Sequence, residues 1–287
     1  MTLFQQKTHQ GFTLVELMMS LSIGLVIALA AVQLFITNYT SFNMQSGLGD
    51  VSENGRFALD FMNKNIRVSE YSSIESGLKT VEEQGVITIA ANLPGGSTAL
   101  SSVNDGTAIG IGNSDQLVVR TWVPSSVANM RDCEGNLVTS GNYIVSRYFL
   151  RADSVSGSPS ALACDAGSYN DASTTVANFG GTGVVLLSSV DSFQVMYGIA
   201  ASSTANPVTI VRYVNPADYL AITAPRPIIA AVRIGLLVRS TERVSVTGSA
   251  PSVRVLDKTI ASTDIPAADK NRVRRAYSST VVLRNVM

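Results

Sequence analysis

Histidine is nearly missing from this chain. His9 is the one histidine among 287 residues, and nothing after the first eleven residues can build a Ser-His-Asp triad or a His-ligated zinc site. The chain also lacks a glycine loop with its phosphate-binding lysine, a CxxC pair and a twelve-residue calcium loop. No cofactor, no metal and no catalytic residue is therefore expected. A charge excess is missing too: 21 basic side chains face 21 acidic ones, which gives no reason to expect a strongly charged partner. Proline is absent before Pro94, so the first third of the chain is free to run as helix. Cysteine is limited to Cys133 and Cys164.

What is present is concentrated at the start. A short polar stretch ends at Gly11, then Phe12-Thr13-Leu14-Val15-Glu16 opens an apolar run that lasts to Ile36. A general secretory signal puts its small-residue cleavage site after an apolar stretch of ~7–15 residues. Here the glycine comes first, so the apolar run survives any cut made at it. About 20 apolar residues cross a bilayer as a helix, and residues 12–36 suffice. Their one charge is Glu16. A carboxylate in such a segment costs roughly 2.5–3.5 kcal/mol at mid-helix, which demands a partner or a proton.

Gly11-Phe12-Thr13-Leu14-Val15-Glu16-Leu17 resembles the cleavage and methylation signature of type IV prepilins and type II secretion pseudopilins. The resemblance implies a leader at 1–11, a cut between Gly11 and Phe12 by a prepilin peptidase, and N-methylation of Phe12. It also implies that Glu16 pairs with an N-terminal amine, its own or a neighbouring subunit's, during assembly. Lys7 on the short side of the run fits a cytoplasmic leader, with the remainder in the periplasm. In such an exported domain, Cys133 and Cys164 are expected to form a disulfide, two free buried thiols being the alternative.

Residues 37–69 read as an amphipathic continuation of the helix. Leu48, Val51, Gly55, Ala58, Met62 and Ile66 step by three or four along one face, while Gly47, Gly49 and Gly55 predict local bending or melting. Residues 116–123, 142–150, 184–199, 208–214, 228–239 and 276–285 read as strands, rich in Val, Ile and Tyr and bounded by Gly, Ser, Asn and Pro. The expected fold is α+β: a long N-terminal helix, transmembrane then amphipathic, packed on a mainly antiparallel sheet in a head domain at 70–287. Residues 92–114, 151–183 and 240–275 read as long connections, with Asp165 to Asp171 in a solvated loop. Lys270, Arg272, Arg274 and Arg275 form a basic cluster, read as a solvated approach to the last strand and not as a DNA site, since acidic Asp264 and Asp269 stand close by.

The segments Glu53 to Phe61, Ser114 to Arg120, Asp191 to Gly198, Ala231 to Ser240 and Arg274 to Asn285 are similar, in order, to the PilW family of minor pilins. That resemblance implies a non-enzymatic subunit that helps to start type IV pilus assembly, in a tip complex with other minor pilins and in contact with the major pilin. It implies a path from the inner membrane to the cell surface. The alternatives it leaves are a type II secretion minor pseudopilin and an adhesin displayed on a pilin stalk.

Overall fold

A computed structural model of the chain describes residues 11–69, 85–96, 110–111, 113–153, 160–200, 209–244 and 252–283. The proline-free start forms one helix, α1 (Leu14–Val68), without a break. The chain divides into two units, one up to Ser46 and one from Gly47 onward. In the first unit the described side chains are almost all exposed, Phe12 at 89%. An apolar helix with no protein against it is what a lipid-facing segment requires, and α1 is long and apolar enough to cross a membrane.

Among the described residues, the second unit holds the rest of α1 and twelve strands. These are β1 (Leu117–Trp122), β2 (Asn129–Arg131), β3 (Leu137–Thr139), β4 (Tyr143–Arg151), β5 (Ala161–Tyr169), β6 (Val184–Ser188), β7 (Val190–Ala200) and β8 (Ile210–Val214), then a short helix α2 (Pro216–Leu220) and β9 (Ile229–Arg239), β10 (Val253–Val255), β11 (Lys258–Ile260) and β12 (Arg274–Val282). Two antiparallel sheets result, ordered β1-β4-β5-β6 and β12-β9-β7-β8, with small ribbons β2-β3 and β10-β11 beside them. Val51, Ala58, Met62 and Ile66 of α1 meet Leu117, Tyr148 and Leu162 of the first sheet and Phe193, Ile234 and Leu236 of the second in one buried core. This is the α+β arrangement the sequence implies.

Several boundaries differ from the sequence reading, each for a local reason. The run 184–199 is two strands in two sheets, because Ser189 adopts a left-handed backbone (φ 63°) between them. Residues 151–183 are no simple connection: β5 occupies 161–169 in the interior of its sheet. Its Ala, Gly and Ser residues carry little strand propensity, yet Ala161, Leu162, Ala163 and Cys164 are fully buried, and burial decides. The ribbons β2-β3 and β10-β11 were too short to read, the second falling inside the expected connection 240–275. Most of 92–114 lies outside the described residues.

Helix α1 runs through Gly47, Gly49 and Gly55 without melting. Gly55 is instead a contact: a Cβ there would lie 2.5 Å from Cδ2 of Tyr277 on β12, and the Tyr277 hydroxyl donates to Ser52 Oγ at 3.2 Å. Asn63 Nδ2 donates to Ser279 Oγ at 2.9 Å two turns further on. Gly55→Ala gains about 1 kcal/mol of helix propensity but overpacks this contact, at a cost of about 1–3 kcal/mol. We expect a net loss of stability, read as a lower urea midpoint at unchanged m-value.

Candidate assembly site at the start of the helix

Thr13 and Glu16 close the N-terminus of α1 on each other. The Glu16 N–H donates to Thr13 Oγ1 at 3.3 Å. In return Glu16 Oε2 accepts the Thr13 N–H at 3.0 Å and the Thr13 hydroxyl at 2.8 Å. This reciprocal pair is a capping box, and it satisfies donors that the first helical turn leaves open. The sequence reading missed Thr13, although Thr-x-x-Glu ahead of an apolar run is its written signature. The carboxylate also stands where the positive end of the helix dipole favours an anion.

Gly11, Phe12 and Thr13 precede the helix and are exposed, and a Cβ built on Gly11 would meet nothing within 4 Å. The Gly11–Phe12 peptide bond is therefore open to an extended-chain binding cleft, four residues from the one carboxylate of the apolar run. The bonds within the box engage Glu16 through Oε2, and the second oxygen of a carboxylate can accept a further donor. An ammonium created at Phe12 would supply such a donor.

The prokaryotic N-terminal methylation motif matches residues 6–32, and the Type IV Pilus-assembly protein W family (PilW) matches residues 147–285. The second match alone takes in just under half of the chain.

The chain is a type IV pilus minor pilin.

Among solved structures it is similar to a type IV-like pilin from Thermus thermophilus, at 13% identity and a TM-score of 0.40, covering 84% of this chain and 98% of the other. No curated relative matches the sequence. The family indicates a structural role for this minor pilin, with contacts to pilus components, processing at its N-terminal motif and anchoring in a membrane before it joins the pilus.

The remaining residues singled out from the sequence are structural parts of the pilin head. Cys133 and Cys164 are bridged, with Cα atoms 6.2 Å apart. Cys164 stands in β5 and not in a loop, so the bridge fastens the turn of the β2-β3 ribbon to the sheet interior. Asp165 is likewise buried in β5 and not solvated. It is 3.1 Å from Nε of Arg147 and accepts the N–H groups of Gly180 and Gly181 at 3.0 and 3.1 Å. Among the described residues no acidic or sulfur cluster is arranged to hold a metal.

Of the basic cluster, Lys270 and Arg275 are exposed, while Arg272 and Arg274 turn inward. Arg274 Nε lies 2.7 Å from Asp191 Oδ2, Arg239 reaches Asp191 at 3.3 Å and Asp269 at 3.2 Å, and Arg272 Nε reaches Asp269 at 3.1 Å. Arg272 Nη1 also donates to the Ser240 and Thr241 carbonyls. Burial pushes the Asp191 carboxyl up while Arg274 and Arg239 pull it down, and burial lowers Arg239 in the same way. Arg272 and Arg274 are committed to carboxylates inside the head.

Proposed function

We propose that this minor pilin is made as a precursor with leader 1–11, is cut between Gly11 and Phe12 by a prepilin peptidase, and is methylated at the new Phe12 amine. Residues 12–36 hold it in the inner membrane, 37–69 continue the helix, and the head at 70–287 faces the periplasm. It then enters a type IV pilus, priming assembly within a tip complex of minor pilins that the major pilin extends. Its role is non-enzymatic. The observation that carries this reading is the exposed Gly11–Phe12 bond lying one helical turn from Glu16, at the head of an apolar helix with no protein packed on it. The PilW match over 147–285 favours a pilus over a secretion machine.

Two substitutions separate processing from assembly. Gly11→Val blocks the cut, so the chain keeps its leader mass and stays with membranes. Glu16→Ala is cut and methylated normally, giving an N-terminal fragment that begins with methyl-Phe12, but leaves a partner ammonium unpaired. Truncating one member of a buried charge pair costs ~2–5 kcal/mol, so its amount in sheared pili falls by at least about tenfold. A Glu16→Ala chain recovered from pili at the wild-type level would refute the pairing role.

A further inference from the structure

Among the described residues, three of the four edges of the two four-stranded sheets carry a device against strand pairing. Beyond β1, residues 85–87 already lie alongside, with Ile87 N–H donating to the Val118 carbonyl at 2.9 Å and Arg120 N–H to the Gly85 carbonyl at 2.7 Å. Strands β6 and β8 are five residues each, and both ladders are broken by a register shift. Short, bulged edges are how sheets avoid unwanted partners. Strand β12 is nine residues long and pairs with β9 from Arg274↔Arg239 to Val282↔Ala231 with no shift. Its stretch Ala276-Tyr277-Ser278-Ser279-Thr280-Val281-Val282 has no charge, proline or glycine. A seven-residue window of that kind on an edge is a template for another strand.

The direction of its main-chain groups follows from the ends of the ladder. The Leu283 N–H donates to the Ala230 carbonyl at 2.9 Å, and the Ser240 N–H to the Val273 carbonyl at 2.8 Å. Hydrogen-bonded and open pairs alternate in an antiparallel ladder. Residues 275, 277, 279 and 281 therefore turn their N–H and C=O groups toward β9, and Ala276, Ser278, Thr280 and Val282 turn theirs to the free edge. Ser278, Thr280 and Val282 are exposed.

We propose that β12 is a docking edge, completed by an extended, uncharged strand from another pilus subunit whose chain carries a carboxylate beside Arg275. Row after row of alternating N–H and C=O groups is answered only by extended backbone. Arg275 is exposed at the start of the strand, where its guanidinium lies 5.7 Å from the Tyr277 ring. A second copy of this chain is a poor occupant on charge grounds. Antiparallel pairing centred on Ser279 sets Leu283, and not a carboxylate, opposite Arg275, and parallel pairing in register sets Arg275 beside Arg275. The inference rests on the reading of the chain as a subunit of a multi-pilin assembly.

The test uses the full chain, expressed with the other minor pilins and the major pilin of its own cell and purified in detergent. Residue-resolved amide exchange is measured on the chain alone and in the co-purified complex. The amides of Ala276, Ser278, Thr280 and Val282 are expected to slow by about a hundredfold in the complex, while those of 275, 277, 279 and 281 are protected in both. Ser278→Pro with Thr280→Pro removes two outward main-chain donors and no main-chain bond to β9, and co-purification is expected to fall at least about tenfold. Ser278→Ala with Thr280→Ala keeps the donors and is expected to bind normally. Unchanged exchange of the four amides, wild-type binding by the proline pair, or a disulfide between two copies carrying Thr280→Cys would each overturn the proposal. If the chain co-purifies with pilins and pili require it, but those amides stay fast, the edge fails and the pilin role stands. If no pilin co-purifies, both fail.

Discussion

Asp191→Ala is expected to destabilise the head by about 3–5 kcal/mol, the cost of removing one member of a buried ion pair. The Asp191 carboxylate stands between two guanidinium groups, Arg239 with a side chain 1% exposed and Arg274 with one 4% exposed. The alanine variant leaves both cations in the interior with Asp269 as the nearest carboxylate, and Asp269 already serves Arg239 and Arg272. Asp191 is the second residue of β7, Arg239 ends β9 and Arg274 begins β12, so the loss falls where three neighbouring strands of the second sheet are tied together. The surface pair Lys64–Asp60 supplies the contrast. Its atoms are 2.7 Å apart, closer than Arg239 and Asp191, but its side chains are 76% and 65% exposed, and Lys64→Ala should cost no more than about 0.5 kcal/mol. Urea unfolding of the two variants measures the difference; equal midpoints would mean that the buried network contributes nothing specific.

Loss of the Cys133–Cys164 bridge is the second large effect. The cysteines are 31 positions apart, and closing a loop of that length removes ~3–4 kcal/mol of unfolded-chain entropy in the chain-entropy account. Cys133→Ala with Cys164→Ala, or reduction of the native protein, is therefore expected to lower the melting temperature by roughly 10 °C. The alanine pair tests more than the crosslink, because Cys164 is fully buried in β5. Reduction without substitution keeps both sulfur atoms in place and isolates the crosslink. A melting temperature unchanged by reduction would mean that the ribbon is held by its hydrogen bonds alone. Those include Glu134 Oε1, which accepts the Ala166 N–H at 3.4 Å.

The helix, its buried stripe and most long strands were legible because their signals are local. Absence of proline, steps of three and four, and runs of Val, Ile and Tyr each need only a short window of sequence. Of the stripe residues, Val51, Gly55, Ala58, Met62 and Ile66 are buried, while Leu48 is half exposed and Gly47 and Leu59 take their places beside them. What was not legible depends on partners far along the chain. Strand β5 is made a strand by its neighbours, Gly55 is made a contact by Tyr277, and Arg274 of the basic cluster is turned inward by Asp191, some eighty residues earlier. The arginines read as solvated because charge density alone does not reveal a distant counter-ion. At the N-terminus the position was different: the motif, the apolar run and Glu16 all lie within one short stretch, and only the Thr13 cap was overlooked.

The measurement that bears most directly on the role of this pilin is the number of surface pili on cells lacking the chain, complemented with the wild type or with Glu16→Ala. The account predicts few or no pili without it, restoration by the wild type, and no restoration by a Glu16→Ala chain that is cut correctly after Gly11. Normal piliation in the deletion strain with defective protein secretion, or full restoration by Glu16→Ala, would contradict it.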